Sequence, residues 1–188
     1  MLSNTLLMKR ISFLRLALFA LIIIIVPACN DDDDNGPSNR TSINGESSVT
    51  LTNGEIQKDG PNQNGSYNWD VALYSDGISY DASTDEYSGQ GDFLYLDLNT
   101  DNPRGLSDGD YNPSTTRSPF TFSVAGFAKN ASIQTNQNDY ATNLTSGTVT
   151  ISGSSDNDNQ VTIEYNLQNA TSDTTVAGTY VGVLTKVD

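Results

Sequence analysis

Histidine is absent from this 188-residue chain, and cysteine occurs only once, at position 29. Because histidine is the commonest general base and transition-metal ligand, its absence excludes Ser–His and Cys–His nucleophile systems and disfavours zinc sites. Glycine-rich phosphate loops of the GxxxxGK[ST] and GxGxxG types are also missing. The type of catalysis that remains possible uses carboxylate side chains, as in glycoside hydrolysis. The sequence therefore favours a protein that is not an enzyme and uses no cofactor.

Basic residues are scarce: 9 Lys and Arg stand against 23 Asp and Glu, for a net charge of -14. This balance argues against nucleic acid and anionic membrane surfaces as partners. Glutamate is also rare, and none of the four glutamates lies in a recognisable catalytic motif. They are Glu46, Glu55, Glu86 and Glu164.

Long hydrophobic runs are limited to one segment near the N-terminus. The basic residues Lys9, Arg10 and Arg15 precede the 11-residue run LALFALIIIIV at 16–26. This run is too short for a stable transmembrane helix, which needs about 20 apolar residues. A basic start followed by a short apolar run predicts a secretory signal over residues 1–28.

The motif VPAC at 26–29 resembles the lipobox of bacterial lipoproteins, in which the cysteine is lipidated and becomes the new N-terminus. Pro27 departs from the strictest form of that motif. The resemblance implies lipidation at Cys29, and several acyl chains on one cysteine would hold the protein firmly on a membrane. The alternatives are a free cysteine after an ordinary signal peptide and an uncleaved anchor.

An acidic run follows the cysteine, and residues 29–45 are expected to form a flexible, solvated tether because adjacent like charges cannot pack. The run resembles the acidic patch with which lipoproteins of the Bacteroidota signal export to the cell surface. The resemblance implies a surface-exposed outer-membrane lipoprotein, with an inward-facing one as the alternative. The acidic residues are Asp31, Asp32, Asp33 and Asp34.

Residues 46–188 are expected to form a single all-β domain. Helix formers are sparse, and short runs of alternating polarity are separated by polar turns. This pattern predicts an antiparallel β-sandwich or calycin-like barrel of about eight or nine strands. The expected strands are 47–58, 66–75, 92–100, 107–113, 120–129, 146–153, 160–169 and 176–187. In 66–75 and 160–169, alternation predicts these core-facing residues: Trp69, Val71, Leu73, Val161, Ile163, Tyr165 and Leu167. In 66–75 and 92–100, it places these residues on the opposite face: Asp70, Tyr74, Tyr95 and Asp97.

Three motifs strengthen the interpretation of the C-terminal half: SGTVTISG, NQVTIEYNLQN and GTYVG. They resemble the endings of small Bacteroidota lipoproteins, a largely uncharacterised group. The resemblance implies location and fold but transfers no active site. Gly178 and Gly182 are expected at close packing contacts, and Tyr111 and Tyr180 at the ends of the core.

Four aromatic residues lie on strand faces opposite the expected core: Tyr74, Phe93, Tyr95 and Phe127. Exposed aromatic rings amid Asn and Asp can stack on the apolar faces of sugars. The sequence therefore offers these residues as a candidate ligand platform. The alternative is that both faces of these strands are covered and the rings are buried.

Two weaker candidates lie near the C-terminus. Asp156 and Asp158 alternate with asparagines and could supply oxygen ligands to calcium, but the segment lacks the glycine and the terminal glutamate of a calcium loop, so a hairpin turn is the simpler interpretation. The tripeptide at 173–175 resembles an O-glycosylation sequon of the Bacteroidota, with Thr174 as the acceptor.

These observations predict a membrane-attached surface lipoprotein with a non-enzymatic binding or accessory role, and a glycan as the preferred ligand class. The first alternative is a structural or assembly subunit that contacts a surface protein. The second is a carboxylate-based glycoside hydrolase, which needs two facing acids in a cleft.

Overall fold

The computed structural model describes residues 39–133, 142–153 and 160–187. These ranges contain thirteen strands, and nowhere in them is there a helix long and apolar enough to cross a membrane. In chain order the strands are β1 (Arg40–Ile43), β2 (Ser47–Thr50), β3 (Asn53–Pro61), β4 (Tyr67–Tyr74), β5 (Ile78–Asp81), β6 (Glu86–Thr100), β7 (Gly109–Pro113), β8 (Thr121–Ile133), β9 (Thr142–Asn143), β10 (Ser146–Ser152), β11 (Gln160–Asn169), β12 (Thr174–Val183) and β13 (Thr185–Val187).

The strands form one curled, open sheet. Its main path of eleven strands runs β13-β3-β4-β6-β8-β7-β10-β11-β12-β1-β2, while β5 pairs with β6 and β9 with β8. Neighbours are antiparallel except for β13 with β3 and β7 with β8. Two short links join strands near opposite ends of this path: residues 51–52 lead from β2 to β3, and Leu184 leads from β12 to β13. The sheet curls because such short links hold its two ends near each other.

The all-β prediction is confirmed, but a sandwich or barrel of eight or nine strands is not. The number of strands differs from the prediction because the chain leaves one pair of neighbouring strands for another at two points that carry no polar turn. The expected strands 47–58 and 176–187 are each divided, at Leu51 and Leu184, which are both buried. The short strands β1, β5 and β9 carry too few residues to show an alternating pattern.

Strand β1 lies within the range that the sequence assigned to the tether, 29–45. It pairs with β12 on one side and β2 on the other, and Thr41 is fully buried at that junction. Few apolar side chains mark this segment in the sequence, because a short strand between two neighbours can be held by backbone hydrogen bonds alone.

A large core fills the inside of the curl. Its members come from the alternating inward positions of the strands, as predicted for β4 and β11. They include Trp69, Val71, Leu73, Leu94, Leu96, Leu98, Tyr111, Val161, Ile163, Tyr165, Leu167 and Tyr180.

A second, smaller cluster lies on the outer face of β4, β6 and β8, meaning the face turned away from the large core. The extension formed by β5 and the first half of β6 contributes Ile78 and Tyr87 to it. Its fully buried members are Ala72, Tyr74, Ile78, Phe93 and Ala128, with Tyr87, Tyr95, Ala131 and Ile133 partly buried against them.

A β-bulge in β8 changes which side chains face the core. Val124 pairs with Asp97, but the next pair joins Phe122 to Leu98, so Ser123 has no partner on β6. An extra residue shifts the two-residue period by one. Phe122 therefore faces the core before the bulge and Phe127 faces it afterwards, while Val124 is 41% exposed on the outer face.

Candidate functional site

The four aromatic residues of the predicted platform do not form one exposed surface. Tyr74 and Phe93 lie on the outer face as expected, but they are buried in the second cluster, with their rings stacked at 6.3 Å. Phe127 lies in the large core because of the bulge in β8. Tyr95 alone is half-buried at the margin of the second cluster.

Tyr95 has small residues on both sides in the sheet. Its cross-strand partners are Ala72 on β4 and Gly126 on β8. Directly opposite residues share one face of a sheet and are the closest side-chain neighbours. Since neither partner has a side chain longer than a methyl group, the ring of Tyr95 is not flanked by bulky groups along this row.

Two carboxylates lie beside Tyr95. Asp70 on β4 is the direct register partner of Asp97 on β6, which is two residues along the strand from Tyr95. The Tyr95 hydroxyl donates a hydrogen bond to Asp70. Side chains at such opposite positions have Cβ atoms about 4.5–5.5 Å apart. The structure therefore places a tyrosine and two acids on one face.

Hydrogen bonds fix Asp97 in place. The amide nitrogen of Asn68 donates to its Oδ1 at 2.6 Å, and the hydroxyl of Ser123, the bulge residue, donates to the same carboxylate. Asn99 in turn donates to the Ser123 Oγ at 3.0 Å. Asp97 is 5% exposed, Asn68 is 2% exposed and Asn99 is fully buried, so the two asparagines act as supports beneath the surface.

The loop between β7 and β8 supplies a cation. The Nη2 of Arg117 lies 3.6 Å from Asp97 Oδ2, and the arginine side chain is 46% exposed. Asn64 and Ser66 hold the loop by donating hydrogen bonds to the Arg117 carbonyl at 2.8 and 2.5 Å. The residues Asp70, Tyr95, Asp97, Arg117 and Ser123 are called the outer patch below.

Both carboxyl groups of the outer patch hold protons more tightly than usual. Burial raises the pKa of Asp70 to about 6, and the nearby charges of Asp97 and Asp59 add to the effect, while the hydrogen bond from Tyr95 opposes it. Burial also raises the pKa of Asp97, against the hydrogen bond from Asn68 and the charge of Arg117. Perturbed acids of this kind are common at functional sites.

A groove of about 700 Å³ adjoins the outer patch along β8. It lies where β7 and β9 diverge from each other: β7 pairs with Thr121 and Phe122, whereas β9 pairs with Gly126 and Phe127. The groove is lined by Pro113, Ser114, Thr115, Phe122, Ser123, Val124, Ala125, Asn143, Leu144 and Thr145.

Of the other predicted sites, Thr174 alone lies within the described residues. Cys29, the aspartates at 31–34, Asp156 and Asp158 lie outside the described residues. Within the described ranges, no group of three or more acidic, histidine or cysteine side chains could hold a metal ion. Thr174 begins β12, where its Oγ1 lies 2.9 Å from Ser172 Oγ.

Sequence reasoning missed Asp70, Asp97 and Arg117 as site residues. The alternating pattern did assign both aspartates to the outer face: Asp70 shares a strand face with Tyr74, and Asp97 shares one with Tyr95. Their pairing depends on β4 and β6 being neighbours although β5 intervenes in the sequence. The sequence did contain a signal for this site, because each of two largely apolar strands carries an aspartate within it.

No protein-family model, curated protein or solved structure significantly matches this chain.

Proposed function

We propose that this chain is a lipid-anchored, surface-exposed outer-membrane protein whose all-β domain binds a glycan without catalysing a reaction. The anchor is Cys29, and the aspartates at 31–34 direct the protein to the cell surface. The glycan lies on the outer patch. The two short links between the ends of the curled sheet support a barrel-like closure, which makes the sheet a rigid support for that patch.

The observation that carries the glycan proposal is the combination of Tyr95 with Asp70 and Asp97. A sugar ring presents C–H groups to an aromatic ring and hydroxyls to polar partners. Here the half-buried Asp70 carboxylate accepts hydrogen bonds from sugar hydroxyls, the Arg117 guanidinium donates to sugar oxygens, and the buried Asp97 holds Arg117 in place. The partners Ala72 and Gly126 leave room for a ring beside Tyr95.

Binding of the purified full-length protein to an array of neutral plant, host and bacterial polysaccharides tests this proposal. We expect binding that falls at least tenfold with Tyr95→Ala, because the stacking surface is lost. Tyr95→Phe keeps the ring and is expected to retain most of the affinity. Tyr80→Ala, which removes a partly exposed tyrosine from β5, is the matched control. Equal loss in Tyr95→Ala and Tyr80→Ala, or silence on the whole array, would contradict the proposal.

If no polysaccharide on the array binds, the alternative of an assembly subunit is favoured. Crosslinking on intact cells would then identify its partner protein.

A specific observation favours the other alternative, a carboxylate-based glycoside hydrolase. Asp70 and Asp97 are adjacent, and one of them has a pKa of about 6, as a general acid requires. Release of reducing sugar from a bound polysaccharide, lost in Asp97→Asn, would support that alternative.

A further inference from the structure

The groove along β8 is continuous with the outer patch. Val124, which lines the groove, is the register partner of Asp97. Ser123 also lines the groove, and its hydroxyl donates to Asp97. In the next row, Gly126 joins Tyr95 on one side to Asn143 on the other. Among the described residues, the outer patch and the groove therefore share Ser123 and adjoin each other at Val124.

The chemistry of the groove differs from that of the protein as a whole. The chain carries a net charge of -14, yet none of the ten described residues that line the groove is charged. Hydroxyl and amide side chains, such as those of Ser114, Asn143 and Thr145, alternate with apolar surface. Val124, which is 41% exposed, supplies part of that apolar surface. An uncharged groove of this composition suits a neutral ligand with both apolar and hydroxyl faces.

A peptide that adds to the sheet as a further strand suits this groove poorly. Such a peptide needs free backbone groups on β8. The carbonyls of Phe122 and Ala125 already accept hydrogen bonds from the backbone nitrogens of Ser114 and Leu144, at 2.9 and 2.8 Å. Pro113 on the rim has no N–H to donate.

We propose that the outer patch and the groove form one extended binding site for a neutral oligosaccharide of two or more sugar units. The chain of sugars runs across the strands, from Asp70 and Tyr95 over Val124 to Asn143. This path crosses from β4 to β9, three strand spacings or roughly 14 Å, which is longer than one sugar ring. The inference rests on the proposed glycan function and specifies its ligand class as a neutral oligosaccharide or a stretch of neutral polysaccharide.

Calorimetric titration of the full-length protein, kept in mild detergent, tests the length of the site. The probes are neutral gluco-, xylo- and manno-oligosaccharides of one to six units. We expect the affinity for the best series to rise at least tenfold between one and three units and then to level off. The levelling marks the point at which the groove is filled.

Val124→Asp locates the far half of the site. We expect this variant to weaken the trisaccharide at least tenfold, because a carboxylate replaces the apolar floor beside Asp97. Val183→Asp is the matched control, since Val183 is 50% exposed and lies on β12, which does not line the groove. Asn143→Ala provides a milder variant with the same expected direction.

The outcomes separate the two proposals. Binding that needs Tyr95 but is independent of chain length, with equal affinities in Val124→Asp and Val183→Asp, overturns the extended site and leaves the glycan function standing. The absence of binding at every length in all three series overturns both. Length-dependent binding lost in Val124→Asp and kept in Val183→Asp supports both.

Discussion

The negative charge of Asp70 is expected to destabilise the folded state. Its pKa is about 6 in the folded protein against 3.8 in an ordinary environment, because the carboxyl group is partly buried and faces Asp97. An acid with a raised pKa favours the folded state below the unfolded pKa, and this contribution is lost as the pH rises through the folded pKa. The stability due to Asp70 is therefore expected to fall between about pH 4 and pH 6.

Asp70→Asn is predicted to stabilise the protein at pH 7.5 by about 1 kcal/mol, a figure that allows for solvent screening of this partly exposed group. The amide oxygen of the new side chain still accepts the hydrogen bond from Tyr95. Urea unfolding at pH 7.5 and pH 4 measures the difference, which should vanish at the lower pH. Glu164→Gln, on the exposed side of β11, is the control and should leave the free energy of unfolding at pH 7.5 within about 0.5 kcal/mol of the parent. Equal destabilisation by Asp70→Asn at both pH values would contradict the burial of a charge.

Gly178 lies at a point where two strands leave no space for a side chain. A Cβ atom there would meet the Arg40 carbonyl oxygen at 2.4 Å and the Tyr165 hydroxyl at 2.8 Å. The close packing expected for this glycine and for Gly182 is confirmed, since a Cβ on Gly182 would lie 2.4 Å from the Tyr180 hydroxyl.

Gly178→Ala is predicted to destabilise the protein by about 1–3 kcal/mol, because the backbone of β1 must move to admit the methyl group. Thr179→Ala, one residue further along β12, is the control and removes atoms without creating a clash. Thermal unfolding of the two variants measures the difference. A Gly178→Ala variant as stable as the control would show that β1 does not pack closely against β12.

At the scale of elements, β1 connects the start of the folded domain to its C-terminal strands. The buried Thr41 hydroxyl forms a hydrogen bond with the hydroxyl of Tyr165, and burial raises the pKa of that tyrosine to about 12. Asn39 accepts from the backbone nitrogens of Leu51 and Val181, through its carbonyl and its side chain respectively. These contacts tie β2 and β12 to a segment whose composition suggested a tether.

A chain that begins at Glu46, the domain boundary expected from the sequence, is predicted to be less stable than one that begins at Gly36. The loss should be roughly 2–4 kcal/mol, because several hydrogen bonds worth about 1 kcal/mol each are removed and Tyr165 is left unsatisfied. Urea unfolding compares the two chains. Thr41→Val in the longer chain is the control, and it should account for only part of the loss. Equal midpoints in the two chains would mean that β1 contributes nothing.

At this scale the sequence predicted most of the described strands but not the breaks between them. The alternating runs of β4, β10 and β11 are long enough to reveal both their type and their inward face. The breaks after β2 and β12 were not accessible, because the apolar residues Leu51 and Leu184 continue the pattern while the chain changes partner. The hairpin extension at β5 was also missed, and with it the cover over Tyr74 and Phe93.

For the molecule as a whole, the proposed lipid anchor at Cys29 attaches the binding domain to the membrane. Cys29→Ser is predicted to leave the protein without acyl chains, and therefore in the soluble rather than the membrane fraction. Metabolic labelling with palmitate and cell fractionation measure this change. Replacing the aspartates at 31–34 with alanine is the companion variant, which should keep the label but protect the domain from protease added to intact cells. Normal membrane recovery of Cys29→Ser would contradict the lipid anchor.

Local order along the chain was enough to predict several properties of this protein. Residue types excluded histidine-based chemistry, alternation predicted an all-β domain, and alternation also assigned Asp70 and Asp97 to the outer face. Which outward residues are accessible, and which of them contact each other, depended on the fold. The bulge at Ser123 placed Phe127 on the core-facing side of β8. The pairing of β4 with β6 brought the two aspartates together beside Tyr95. Such outcomes depend on register between distant strands, because a shift of one residue on either strand reverses the face of every side chain beyond it.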